Sequence, residues 1–456
     1  MYTKQLAQFA RTLSYQDLSP QAVELGKLCV EDLIGVALAG SVSPQGNIWR
    51  SCFASGNQPA EAAAWTPGFP CIAYPQAAAL NAAWGHLLDL DDVHNRSIVH
   101  LGVVTIPAAL AVGSALHRSG RDVLAAVAAG YEVGARVGEA LNPESYYYWH
   151  TTGVVGALAT AAVCGKLLDL DEVCYQNALG SAGTQAAGLW EFLEDGAMSK
   201  SLHTANAALC GIRSARLAAL GLTGASRILE GERGLLHALV AEPHLEALVQ
   251  GLDPLRLKIQ EISFKSYACC RHTHGANAAM ANLIVQHQLQ PEDIVQIVDR
   301  TYATAKQTVD NSHPATPYAC KFSVQYCIAA LLLGSTLMED AFAEPFVSDF
   351  RLSPLMERIS VVVDPVLESE YQADPSCWPH ILEVVLQNGQ VLRERVYYPP
   401  GDVHAPFDRA RINQKFYDVT RPHLHRTQAE ALCRRIHHLD ELEDISRLFE
   451  RWALLF

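Results

Sequence analysis

The chain has 456 residues, half of them apolar and 18% charged, which is ordinary for a folded protein and long enough for roughly two to three domains. Its formal charge of −14, with no long run of Lys or Arg, excludes a nucleic-acid groove, because phosphate binding needs a basic face. The longest apolar run, Gly153 to Gly165, falls short of the roughly 20 residues that span a bilayer, so no membrane segment is expected.

From Leu6 to about Gly40 the apolar residues Leu6, Phe9, Leu13, Ala22, Leu25, Leu28 and Leu33 recur at three and four, which predicts helix. The stretches Pro59 to Ala64 and Thr66 to Tyr74 read as loop. Helix resumes over Gln76 to Leu90, then Ile106 to Ser119, Arg121 to Ala140, Gly153 to Leu168, Cys174 to Ala187 and Leu202 to Leu220. These segments are rich in Ala and interrupted by Gly or charged turns. The N-terminal part is therefore expected to be an all-helical domain over about 1–250, its axes brought close by small residues.

After Pro254 the near-alternation of Leu257, Ile259 and Ile262 predicts the first strand of a second domain. Further strands are expected at Ile294 to Tyr302, Ile359 to Val363, Ile381 to Leu386 and Val391 to Val396, the last two joined by an Asn388-Gly389 hairpin turn. Helices near 274–287 and 320–333 lie between them, giving an α+β unit over 255–404. The tail 405–456 is helical again, with Leu432, Ile436, Leu439, Ile445 and Leu448, and is expected to pack back on the first domain. The expected fold class is mostly α with an α+β lid.

The stretch Leu88 to Gly102 carries the strongest chemical signal. Three carboxylates, Asp89, Asp91 and Asp92, stand where a helix C-terminus already presents negative charge, a local conflict of the kind found at functional sites. Asp89 and Asp92, placed i and i+3 on a helix, are expected to have raised pKa values, suited to general acid or base work. His100 follows a loop of donors, Asn95, Arg96 and Ser97, that can grip a carboxylate. Thr105 and Pro107 are expected to open the next helix.

His150 precedes a helix that Thr151 can cap, so the helix pole should keep the imidazole neutral and able to accept a proton. Lys200 and His203 stand at the start of a later helix. Lys265, Arg271 and His274 belong to the densest cationic run, Phe264 to Gly275. Its Cys and His residues are packed too closely in sequence for a tetrahedral zinc site without ligands from elsewhere. Tyr326 lies in a helical segment beginning near Cys320. The twelve cysteines are otherwise scattered, with no CxxC, and read as reduced thiols; the start Met1-Tyr2-Thr3-Lys4-Gln5 carries no apolar signal core, so the expected compartment is the cytoplasm.

Taken together and in order, these windows resemble the 2-methylcitrate dehydratase (MmgE/PrpD) family, which includes cis-aconitate decarboxylase and iminodisuccinate epimerase. The resemblance rests on the Asp-rich stretch with His100 and Gly102, Ile106-Pro107-Ala108-Ala109-Leu110-Ala111, His150-Thr151-Thr152-Gly153 and Ser199-Lys200-Ser201-Leu202-His203. It extends to Ile228-Leu229-Glu230-Gly231, Lys265 with Thr273-His274, and Lys321-Phe322-Ser323 with Tyr326. It implies a large all-helical domain completed by the C-terminal tail, a smaller α+β lid, and a homodimer acting on small di- or tricarboxylates without metal or organic cofactor. It also implies that Asp89, His100, His150, Lys200, Lys265 and Tyr326 surround the substrate. Val93, where the decarboxylase branch has threonine, the Asn95-Arg96-Ser97 loop, and Leu101 in place of proline depart from the pattern.

The expected activity is that of a cofactor-independent lyase that abstracts a proton next to a carboxylate of a hydroxy-polycarboxylate. His150 or Lys200 would be the base and His100 the acid, with Asp89 orienting His100. Arg96 and Lys265 would hold carboxylates, with Asn95, Ser97, His203, Arg271 and His274 as further substrate contacts. An epimerase or a decarboxylase shares the first step, and a non-catalytic carboxylate-binding or scaffold protein could share the fold.

Overall fold

The computed structural model describes residues 1–53, 59–141 and 143–450. Residues 451–456 of the predicted C-terminal segment lie outside them. The chain is mostly helical, with a smaller α+β domain.

The helical part is built on Pro20–Val42, opened by Pro20 and by the Ser19 hydroxyl, which accepts the Ala22 N–H at 3.1 Å. Against it lies Tyr74–Leu87, whose residues from Ala77 onward are all buried. Gly40 permits this closeness, since a Cβ there would fall on the Trp84 carbonyl. Leu101–Ala115, Gly120–Leu141, Thr151–Leu167 and Lys200–Ala219 complete a layered bundle whose core is largely Ala, Val and Leu. The expected loop at 59–74 contains a short antiparallel ladder, Ala62–Ala63 against Cys71–Ile72. Asn81 holds it in place, donating to the Ala63 carbonyl and accepting the Trp65 N–H. Among the described residues no helix is long and apolar enough to cross a membrane.

The α+β domain carries a four-stranded sheet in the order Ile359–Val363, Ile294–Thr301, His380–Leu386, Val391–Val396. The first pair is parallel and the other two antiparallel, the last closed by the Asn388-Gly389 turn with Gly389 at φ +83°. His274–His287 packs on the two strands of that hairpin. The expected strand at 257–262 is different. Lys258–Glu261 is a 3-10 turn, because the Lys258 N–H is drawn to Glu132 at 2.8 Å, and only Ile262–Ser263 is extended. That short strand pairs with Val93–His94 of the helical part, not with the sheet, and so stitches the two domains beside Lys265.

The C-terminal helices Arg409–Thr420 and Arg426–His437 pack on Pro20–Val42. Lys415 meets Asp32 at 2.7 Å and His437 meets Glu31 at 2.7 Å, both contacts largely shielded from water.

Candidate active site

The helix Tyr74–Leu87 ends before the acidic stretch, and Asp89 turns out of it with a left-handed backbone, φ +53°. Its neighbours are held by their carbonyls. Leu88 O accepts from Lys321 at 3.0 Å, Asp89 O from Lys265 at 2.9 Å, and Leu90 O from Lys415 at 2.9 Å. Three consecutive carbonyls are thus fixed by three lysines from distant parts of the chain.

The Asp89 carboxylate is wholly buried, with Oδ1 2.8 Å from Lys200 Nζ and 2.9 Å from Lys265 Nζ. Burial alone would raise its pKa, but the two ammonium groups override burial and hold it well below the usual carboxylate range. The expected rise is therefore reversed at Asp89. Asp92 does rise, to about 8, driven by burial and then by Asp91 and Asp32, while the Tyr131 hydroxyl at 2.8 Å and the Gly102 N–H at 3.1 Å pull the other way. Spacing along a helix did not set either value, because the helix had already ended.

Asp91 is the carboxylate beside His100, the place expected for Asp89. Its Oδ2 lies 3.1 Å from His100 Nδ1, close enough to bond though not aligned as a formed hydrogen bond, and 2.9 Å from His86 Nδ1. Burial lowers the pKa of both imidazoles, that of His86 to about 4, while Asp91 pulls upward. An ionised carboxylate only accepts, so His86 donates Nδ1–H to it and the same role falls to His100, leaving His100 Nε2 with a lone pair. His100 caps Leu101–Ala115, which starts earlier than Thr105 because Asp92 satisfies the Gly102 N–H and Thr152 Oγ1 accepts the His100 N–H at 3.0 Å. Pro107 then lies inside the helix.

His150 occupies the N-cap of Thr151–Leu167, and no side chain caps that helix, contrary to the role expected for Thr151. Its Nδ1 is 3.0 Å from His203 Nδ1, and its ring stacks on His86 at 5.5 Å and leans on Trp190 at 4.8 Å. Burial, followed by Lys200, holds its pKa well below that of a free imidazole. Lys200 is the first residue of Lys200–Ala219. Three helix N-termini, each a positive pole, therefore converge with their terminal side chains on one place.

That place is a tight pocket of about 10 Å³ between the two domains, lined by Asp89, His100, His150, Lys200, Lys265 and Arg271 together with Tyr146, Trp190, His272 and Trp378. A roomier groove of about 1370 Å³ is reached by Leu88 and Leu90, on either side of Asp89, and is lined by carboxylates such as Glu339, Asp340 and Glu344 alongside Arg351, Arg421 and His423.

Other candidates sit elsewhere. Arg96 is exposed and pairs with Asp374 at 2.9 Å, Ser97 bonds His94 at 2.8 Å, and Asn95 donates to Asp402 at 2.9 Å. His274 lies behind Arg271, 3.3 Å from its Nη1, while Arg271 reaches Asp402 at 2.9 Å. His203 touches the cavity only through His150. The Tyr326 hydroxyl donates to the Ala341 carbonyl in the α+β core, away from the cavity lining. Asp91 and His86 were within reach of sequence reasoning, one in the acidic stretch and one a turn before it; Trp378 and Tyr146 gave no signal.

Two groups of possible metal donors occur among the described residues. In the first, His86 Nδ1 bonds Asp91 at 2.9 Å and His100 Nδ1 lies 3.1 Å from the same carboxylate. In the second, His94, Glu139 and Glu261, the Lys258 ammonium supplies the cation, 2.7 Å from Glu139 and 3.2 Å from Glu261.

A family model described as the MmgE/PrpD N-terminal domain matches residues 4–248, and one described as the MmgE/PrpD C-terminal domain matches residues 267–441. A cis-aconitate decarboxylase of Aspergillus terreus is 27% identical over 98% of this chain and 95% of its own. The cis-aconitate decarboxylase of Homo sapiens is 26% identical over 98% of this chain and 93% of its own. The mitochondrial 2-methylcitrate dehydratase of Yarrowia lipolytica is 29% identical over 28% of this chain and 26% of its own.

Proposed function

The chain belongs to the MmgE/PrpD family, and we propose that it is a lyase acting on a small hydroxy di- or tricarboxylate by removing a proton next to a carboxylate. The observation that carries this reading is the convergence of Lys200, Lys265 and three helix N-termini on a buried cavity that also holds neutral imidazoles. Such a site attracts polyanions and offers a base.

The reaction needs a base, a stabiliser for enolate charge and an acid for the leaving hydroxyl. His100 suits the base, because Asp91 beside Nδ1 steadies the imidazolium that forms when Nε2 takes the proton. This exchanges the acid role expected for His100. Lys200, salt-bridged to Asp89 as an ammonium, is placed to protonate the departing hydroxyl, while Lys265 and Arg271 balance substrate carboxylates. His150 adds a hydrogen bond from its neutral ring. The residues supply the charge and proton chemistry of this reaction themselves. A homodimer belongs to the same reading, supported by the exposed Tyr147, Tyr148, Leu189 and Leu202.

A decarboxylase is the second reading, favoured by similarity along nearly the whole chain to cis-aconitate decarboxylases. Against it, Val93 puts an apolar side chain on the cavity wall. A panel of polycarboxylates incubated in deuterated water and followed by NMR separates these: an alkene with loss of water is expected, an alkene with loss of carbon dioxide favours decarboxylation, and deuterium uptake alone favours epimerisation. Absence of all three across the panel overturns the enzyme reading.

A further inference from the structure

One polar group on the cavity has no part in the reaction above. His272 is 1% exposed, and its ring lies flat on Trp378, centroids 4.2 Å apart and planes 12° from parallel, with Tyr146 edge-on at 5.9 Å. Its Nδ1 is 2.6 Å from the hydroxyl of Tyr302, itself fully buried and stacked on Tyr371 at 4.3 Å. Its Nε2 is buried, faces no hydrogen-bond partner among the described residues, and belongs to a side chain that lines the cavity.

The tautomer follows from the network. A buried phenol must donate its proton, and Nδ1 of His272 is the acceptor at hand, so the ring carries its own hydrogen on Nε2. Burial pushes its pKa down to about 3, which keeps the ring neutral. A buried N–H without a partner is disfavoured, so a fold that clamps one in place from two sides has it awaiting an acceptor.

We propose that His272 is a specificity-determining residue, presenting a fixed neutral Nε2–H donor to an uncharged substrate oxygen, the hydroxyl in the polycarboxylate reading on which this inference rests. The neighbours decide the kind of oxygen. Lys265, at Asp89, draws a carboxylate and Lys200 faces the departing hydroxyl, whereas the ring of His272, whose protonation Lys265, Arg271 and Lys200 all oppose, is held by Trp378 and Tyr146 and offers that hydroxyl an uncharged donor. A neutral donor there suits a hydroxyl, and a ligand lacking it leaves the donor unpaired.

Titration calorimetry with citrate and its deoxy analogue tricarballylate, on the full chain, tests this. The wild type is expected to bind citrate about tenfold or more tightly over tricarballylate, His272→Phe to abolish that preference while holding tricarballylate within about twofold, and His272→Gln, which retains an N–H donor, to restore part of it. Side-chain ¹⁵N spectra of the unmutated protein give a reading independent of how the variants fold: a protonated Nε2 and an unprotonated Nδ1 are expected for His272, and the opposite tautomer overturns the inference. Citrate preference unchanged in His272→Phe, or none in the wild type, overturns this inference alone. Binding of neither acid by the wild type overturns the polycarboxylate reading and the inference with it.

Discussion

Lys265 Nζ lies 2.9 Å from the main-chain carbonyl of Asp89 and 2.9 Å from its Oδ1, so one ammonium group grips both the backbone and the side chain of a single residue. With a third bond to the Cys269 carbonyl at 3.2 Å, it fixes the left-handed turn at Asp89 from the α+β domain. The closure of the two domains and the charge of the site are therefore one feature.

Lys265→Ala is expected to lose both activity and stability. Removing the amine takes away roughly 2 to 4 kcal/mol of transition-state stabilisation. It also leaves Asp89 with one counter-ion, and breaking a buried pair destabilises by about 3 to 5 kcal/mol. Steady-state kinetics and urea denaturation of the same preparation check both, and an unchanged unfolding midpoint would show that the pair does not hold the domains together. An amine with three buried acceptors, Asp89 O, Asp89 Oδ1 and Cys269 O, is not removed without a cost to folding.

Asp91→Asn is expected to lower kcat by about a hundredfold to ten-thousandfold with KM little changed, since the amide cannot steady an imidazolium at His100. Asp89→Asn, in contrast, should raise KM and destabilise the fold, because it uncouples Lys200 and Lys265. Equal kcat losses and equal KM values for the two variants would contradict the division of labour between these carboxylates.

Stability should fall as pH rises from about 4 to about 8 through the contribution of Asp92. Its folded pKa, about 8, exceeds its unfolded value, near 3.8, so the native state binds more protons across that window. The destabilisation is absent below the unfolded pKa and complete above the folded one. Asp32, raised to about 6 by burial against the pull of Lys415, adds in the same direction over a narrower window. Asp92→Asn should flatten the slope of unfolding free energy between pH 5 and about 8, measured by denaturant titration at several pH values.

Tyr326→Phe and Arg96→Ala should leave kcat within about twofold. The first removes a donor from the Ala341 carbonyl inside the α+β core, at about 1 kcal/mol of stability. The second breaks a surface pair with Asp374 that contributes roughly 0 to 1 kcal/mol. A hundredfold loss of kcat in either variant would return that side chain to the reaction.

Local pattern determined a good deal of this protein. Apolar residues at three and four marked the long helices, the alternation around Asn388-Gly389 marked the hairpin, and an acidic stretch in conflict with a helix pole marked the segment that lines the cavity. These features depend on neighbours a few residues apart, which is the range over which backbone geometry acts. Partnership is decided elsewhere. Asp89 meets Lys200 and Lys265, 111 and 176 residues further on, and Leu90 meets Lys415, 325 residues away. Whether a buried carboxylate rises like Asp92 or falls like Asp89 depends on which cations folding brings within about 3 Å, and chain spacing carries no record of that. The same holds for His272, an unremarkable member of a basic run in the sequence, whose free Nε2–H exists only because Tyr302 and Trp378 arrive from two other segments to take its other edge and its face.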